Sequence, residues 1–209
     1  VNDVEMRARV DALLKPLAPA RTALLQRAVD AKSLPAKIHW LREAVRLPTE
    51  ALAGLSPCRS GCAHCCHISL TLSRPEAEQI AREIGRKLAT PPPERVAVLG
   101  RQDGDNSARA IERRANYQRQ AEWLKKAYVG IPCTFLVEER CSIYTHRPME
   151  CRTHLSLERD SEPCRIGGEF TKALYFDDAN ENNAAVMALT GEEAVLADVR
   201  DWFPASPRV

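Results

Sequence analysis

Apolar residues recur at helical spacing along most of the chain. Val4, Val10, Leu13 and Leu14 form a first stripe that Pro16 and Pro19 interrupt, Leu24, Leu25 and Val29 a second, and Ile38, Leu41 and Val45 a third after Pro35. Residues 1–55 therefore read as an amphipathic helical extension, a hairpin or small bundle, with His39 and Trp40 as packing residues of its third helix. Ser73-Arg74-Pro75-Glu76 has the form of a capping box with proline in the first turn. The helix it opens presents Ala77, Ile80, Ala81, Ile84 and Leu88 on one face, and Thr90 with the prolines at 91–93 stops it. A short helix through Val96, Val98 and Leu99 is expected next, then an exposed turn over 100–106. Ser107 to Tyr128 reads as a long helix of mixed charge, its basic residues a solvated face. From Ile131 to Cys164 helical periodicity fails. Phe135, Leu136 and Val137, followed by Cys141, Ile143 and Tyr144, fit a short β-hairpin or plain loops. Leu174-Tyr175-Phe176 suits a strand, and Asn183 to Trp202 a last helix broken near Thr190-Gly191.

Composition narrows the classes. A length of 209 residues suits one domain, or a domain with a helical extension, and 44% hydrophobic with 28% charged residues is globular. The charge balance of 30 Lys+Arg to 28 Asp+Glu gives no electrostatic case for a nucleic-acid or membrane partner. Aromatics at 5% argue against base-stacking platforms, and no 18-residue apolar run spans a bilayer. The stretch Val1–Arg7 is charged and lacks the apolar core of a secretory signal. The expectation is a cytoplasmic protein, where thiols stay reduced and clustered cysteines mean metal or redox chemistry.

Cysteine is the outlier. Eight are present, and four fall in the run Cys58-Arg59-Ser60-Gly61-Cys62-Ala63-His64-Cys65-Cys66-His67. Sulfurs this close do not make a disulfide framework, because vicinal cysteines bridge only through a strained ring. A tight loop does let thiolates converge on one ion, with Gly61 free to turn the backbone, and the N-terminal dipole of the following helix favours thiolate. The remaining four, Cys133, Cys141, Cys151 and Cys164, are widely spaced. Arg59, Arg140, Arg147, Arg152 and Arg165 each lie within four residues of a cysteine. Four thiolates on a divalent ion leave about two net negative charges, which guanidinium groups offset while donating hydrogen bonds to sulfur. Cys164 reads equally as ligand or as buried small apolar residue. His64 and His67 read as hydrogen-bonding neighbours of the cluster, and Tyr144 as a packing residue under it. The pairs Asp177-Asp178 and Glu192-Glu193 lack a positioned partner for acid–base work.

The segment Cys58, Cys62, Cys65, Cys66, together with Pro132-Cys133-Thr134-Phe135-Leu136, Cys141-Ser142-Ile143-Tyr144 and Arg147-Pro148-Met149-Glu150-Cys151-Arg152, resembles the YkgJ-type cysteine-cluster family, a zinc- or iron-chelating domain with a C-x-x-x-C-x-x-C-C signature. The likeness runs from Cys58 to Cys151, with the N-terminal bundle and the tail outside it. Where that family commonly continues with an aromatic and a proline, this chain has Thr153-His154-Leu155, which makes His154 available as a further ligand. The resemblance implies metal chelation and no settled reaction.

The expected fold is mainly α, a helical bundle with two irregular cysteine-bearing loops converging on a metal site and little or no β. Its expected divisions are an N-terminal extension (1–55), a metal-binding domain (56–170) and a C-terminal strand and helix packing on it (171–209). The expected metal ligands are Cys58, Cys62, Cys65, Cys66, Cys133, Cys141 and Cys151. All-sulfur ligation excludes magnesium and calcium and leaves an iron–sulfur cluster, [4Fe-4S] included, or zinc, with Cu(I) behind them. More thiols are present than one centre needs, so either some are spare or two sites are adjacent. The function read from this is a noncatalytic metal-binding module, its partners a metal ion or cluster and, as a second class, a protein. Two enzymatic alternatives stand beside it. Flagellin lysine N-methylase carries a similar cysteine pattern, but its chain is larger and no Gly-rich cofactor loop appears here. Cys58, Cys62 and Cys65 have the spacing of radical S-adenosylmethionine enzymes, without the strand–helix alternation of a βα barrel.

Overall fold

In the computed structural model, residues 3–99, 107–158, 164, 175–176 and 194–205 are described. The chain is mainly helical, with few and short strands. Helix α1 (Asp3–Leu14) runs through a 3-10 turn at Lys15–Leu17 into α2 (Ala18–Asp30), and α3 (Leu34–Leu52) packs back against α2. Pro16, Pro19 and Pro35 stand in first turns, where a missing N–H costs nothing. The Ser33 hydroxyl caps α3, accepting the Ala36 N–H at 3.4 Å.

The third apolar stripe is the one that builds a core: Ile38, Leu41 and Val45 are buried with Ala28 and with Met149 from far along the chain, and Trp40 packs at the edge. The other two stripes depart in part: Val4 and Leu13 of α1 are exposed, and in α2 Leu25 packs on this core as expected while Val29 is 57% exposed and Ala28 turns inward.

Two segments expected to be helical are strands. Strand β1 (Thr71–Ser73), β2 (Ala97–Leu99) and the C-terminal β7 (Ala194–Asp198) form an antiparallel sheet in the order β1-β7-β2, with Leu72 opposite Ala197 and Val98 opposite Val195. Leu196 and Ala197 are both buried, so the central strand is covered on both faces and carries no alternation to distinguish it from a helix. Only Val199–Trp202 is helical at this end (α7), capped by Asp198 Oδ1, which accepts the Arg200 N–H at 2.9 Å. The rest of the expected terminal helix, 183–193, lies outside the described residues.

Helix α4 (Arg74–Glu83) starts where the capping box places it, but the box does not form. The Ser73 hydroxyl is buried without a hydrogen-bond partner, and Glu76 instead accepts the Met149 N–H at 2.7 Å. The helix also ends at Glu83, short of Thr90, with Gly85 at φ +65° turning the chain. Ala77, Ile80 and Ala81 are buried as expected, in a core with Leu70, Leu72, Phe135, Ile143, Val199, Trp202 and Phe203. Helix α5 (Ala108–Ala127), capped by Ser107, lays Leu124 against Ala97 and Leu196. Beyond it come a hairpin of β3 (Leu136–Val137) and β4 (Arg140–Cys141), helix α6 (Met149–Thr153), and β5 (Leu155–Ser156) paired with β6 (Tyr175–Phe176). No helix among the described residues is long and apolar enough to cross a membrane.

Candidate metal centre

Short-range turns shape the first cysteine segment. The Cys62 N–H donates to Arg59 O at 3.0 Å across a turn that holds Gly61 at φ +91°, where an L side chain would be strained. A single 3-10 turn, His64–His67, then presents Cys65 and Cys66, with Cys66 N donating to Ala63 O at 2.9 Å. In the second segment, Leu136 N closes a turn on Cys133 O, the β3–β4 hairpin places Cys141 opposite Leu136, and α6 carries Cys151.

The two segments meet through the backbone. Cys133 N donates to Cys66 O at 2.7 Å, and Gly130 N to His67 O at 2.7 Å. Cys133, Cys141 and Cys151 also pack on the core that contains Phe135 and Phe203. What fastens the meeting is a residue the sequence did not single out. Arg200, almost buried, sends Nη2 to the carbonyls of Cys66 (3.1 Å), Ile68 (3.1 Å) and Ile131 (2.6 Å), and Nε to that of Pro132 (3.1 Å). Its Nη1 pairs with Asp198 at 2.8 Å, and Asp198 in turn accepts the Leu70 N–H at 2.7 Å. One guanidinium, held by one carboxylate, thus gathers carbonyls from both cysteine segments; only the planar fork of arginine reaches so many acceptors.

None of the eight cysteines is in a disulfide. Cys66 donates its S–H to Cys65, and this holds the Cys65 thiol below its ordinary value against its burial, with Arg147 adding positive charge. Cys66, having given the hydrogen bond, is raised by it and by burial, with Cys65, Cys133 and Cys151 adding to the rise. Burial pushes up Cys133, against an amide hydrogen bond from Phe135 and the charge of Arg200. Burial also raises Cys141 and Cys151, and Arg147 opposes it in both. Cys62 rises by burial as well, but its sulfur neighbours are Cys58, Cys65 and Cys164.

Two neighbourhoods follow from these couplings. Cys65, Cys66, Cys133, Cys141 and Cys151 form one. Cys58, Cys62, Cys65 and Cys164 line a small cavity with His64, His154 and Ser156, and form the other. Cys65 stands on both walls. His67 is tied in by its carbonyl rather than placed on the cavity wall. Of the arginines expected to balance charge, Arg147 does face the sulfurs, stacked over Tyr144 at 4.2 Å, and Arg152 braces it by donating to Arg147 O and Thr145 O. Arg59 and Arg140 are exposed instead, and Arg165, Asp177, Asp178, Glu192 and Glu193 lie outside the described residues.

Among the described residues, no group of three or more His, Cys, Asp or Glu could hold a metal ion as the side chains stand, so closing on an ion requires the cysteine side chains to move. The donor set itself, thiols with imidazoles and no clustered carboxylate, fits a thiophilic metal and not a hard cation.

Neither a curated protein nor a solved structure matches the chain. A family model does, across residues 57–166, under the description "Putative zinc- or iron-chelating domain". The matched span takes in every cysteine and reaches past the Cys58–Cys151 likeness to include Cys164. The first interval, Cys58 to Cys62, is one residue longer than the motif naming the family. Since the match covers more than half of the sequence and both segments that Arg200 joins, this chain belongs to the CxxCxxCC family of zinc- or iron-chelating domains.

Proposed function

We propose that this protein is a noncatalytic metal-binding module whose two cysteine segments share one thiolate centre. Its ligands are drawn from Cys65, Cys66, Cys133, Cys141 and Cys151, four of which suffice for a zinc ion or an iron–sulfur cluster. Cys58 and Cys62 lie on the far wall of Cys65, outside that set. The observation that carries the reading is the backbone junction between the segments, Cys133 N to Cys66 O, because it brings remote sulfurs together without any disulfide. Arg147 and Arg200 supply positive charge against the excess negative charge of a four-thiolate centre. The described strand pairs are all antiparallel, which lends no support to a parallel βα enzyme scaffold.

Anaerobic purification followed by elemental analysis and a visible spectrum tests this. Iron with an equal amount of sulfide and a brown visible absorbance identifies a thiolate-held cluster. A colourless protein with stoichiometric zinc identifies zinc. A protein that carries and takes up neither metal overturns the proposal.

A further inference from the structure

The thiolate centre leaves three cysteines unused, and they are not scattered. Cys58, Cys62 and Cys164 line one cavity, with His154 and His64 also on its wall. Cys58 and Cys62 come from the first loop, and His154 from the residue that ends α6. Cys164 is a buried residue of the following segment. Three separate stretches of sequence would have no packing reason to present four thiols and two imidazoles to the same small space. An apolar wall would fill it better.

We propose that this cavity is a second metal site, holding one zinc-class divalent ion through Cys58, Cys62, Cys164 and His154. The inference rests on the reading above, that the chain chelates metal, and adds a separate ion to it. Three thiolates and one imidazole make a closed tetrahedral set of the kind that structural zinc uses. The cavity measures about 20 Å³, room for one water-sized sphere, which suits a single ion.

His154 is preferred to His64 because it stands at the C-terminal end of α6, three residues beyond Cys151. A ligand there is fixed by the same helix that carries a thiol of the first centre. His64 begins the 3-10 turn of the cysteine loop. Division of labour follows, with Cys66, Cys133, Cys141 and Cys151 serving the first centre and Cys65 standing between the two. The second ion binds chain around Cys164 to the first loop, so its task is structural.

The full chain, loaded with zinc, tests this by elemental analysis of iron and zinc in the wild type and four variants. Cys164→Ser and His154→Ala are each expected to bind one equivalent of zinc less than the wild type and to keep the metal of the thiolate centre. Cys141→Ser is expected to show the reverse, and His64→Ala to match the wild type. Zinc-edge X-ray absorption on the wild type needs no variant and guards against misfolding. A nitrogen neighbour at about 2.0–2.1 Å is expected beside sulfur at about 2.3 Å, and a shell of sulfur alone overturns the proposal. So does full retention of zinc by both Cys164→Ser and His154→Ala, or loss of zinc by His64→Ala alone. A wild-type chain that takes up no metal defeats the functional reading itself, which is a different result from metal that ignores Cys164 and His154.

Discussion

Replacing Arg200 with methionine removes the fastening between the cysteine segments while keeping comparable apolar bulk. The change deletes donors to four carbonyls, those of Cys66, Ile68, Ile131 and Pro132, and leaves Asp198 without its countercharge. Deleting one partner of a buried ion pair costs about 3–5 kcal/mol. Asp198 keeps two backbone donors, Leu70 N and the residue-200 N–H, which places the ionic loss in the lower half of that range. The stranded carbonyls add to it, though not additively, since chain relaxation lets water reach them. An expected destabilisation of about 4 kcal/mol lowers the melting temperature by about 10 °C for a domain of this size. Arg200→Lys keeps the charge beside Asp198 but not the fork, so about half of the loss is expected. Melting by circular dichroism, paired with metal content after dialysis against a chelator, reads both effects. If Arg200→Met melts within about 2 °C of the wild type and holds its metal equally well, the clasp has no energetic weight and the reasoning fails.

Three further outcomes follow from the same structure. Cys65→Ser, at the wall common to both sulfur neighbourhoods, is expected to lower bound metal and melting temperature together, because binding energy at such sites is folding energy; full occupancy with unchanged melting contradicts it. Glu83 is held below its ordinary pKa: burial opposes its charge, but hydrogen bonds from Arg42 (2.6 Å) and Gln79 outweigh that, and His146 adds a third contact. A depressed carboxyl stabilises the fold above its unfolded pKa of about 4.3 and loses that contribution as pH falls through the folded value; Glu83→Gln should therefore show a shallower acid loss in urea titrations below about pH 5. Glu138 and Glu139 turn the β3–β4 hairpin at φ 48° and 58°, a two-residue loop that prefers Asn-Gly. The double change Glu138→Asn, Glu139→Gly is expected to stabilise by about 1 kcal/mol, and a lower melting temperature refutes it.

Helix positions with a strong one-sided pattern were legible from sequence. Ile38, Leu41 and Val45 in α3, and Ala77, Ile80 and Ala81 in α4, face cores as their spacing predicts. So was the start of α5 at Ser107, where a hydroxyl and a following helical run leave one capping geometry. The strands were not. Residues 97–99 and 194–197 are apolar in succession, with Leu196 and Ala197 both buried, and such runs have no period to read. The capping box misled because its sequence rule assumes a helix end open to solvent; Glu76 is buried and its acceptor is spent on Met149, 73 residues away. The cysteines announced themselves by number and spacing, and their nearness across the two segments is what the backbone junction displays. Arg200 and Asp198 gave no local signal. Their partners lie 68 to 134 residues back, and only the topology of the sheet brings them there.

That topology bears on affinity for a metal the clasp never touches. A site built from segments separated by most of a domain must offset the entropy of closing the chain between them, a cost that grows as about 1.5 RT ln n with loop length. In this fold the closure is made by protein contacts. Strand β7 pairs with β1 and β2, Asp198 holds Leu70, and Arg200 holds Cys66 and Pro132, so the segments are adjacent before any ion is considered. Preorganisation of this kind raises affinity by removing an ordering cost rather than by adding a contact. Linkage makes the effect mutual: an ion that ties the same two segments together stabilises the docked strand by the amount that the docked strand strengthens binding. A change at Arg200 and a change at Cys133 therefore weaken one coupled structure from opposite ends. The first leaves every sulfur in place and loosens their arrangement; the second leaves the arrangement and removes a sulfur.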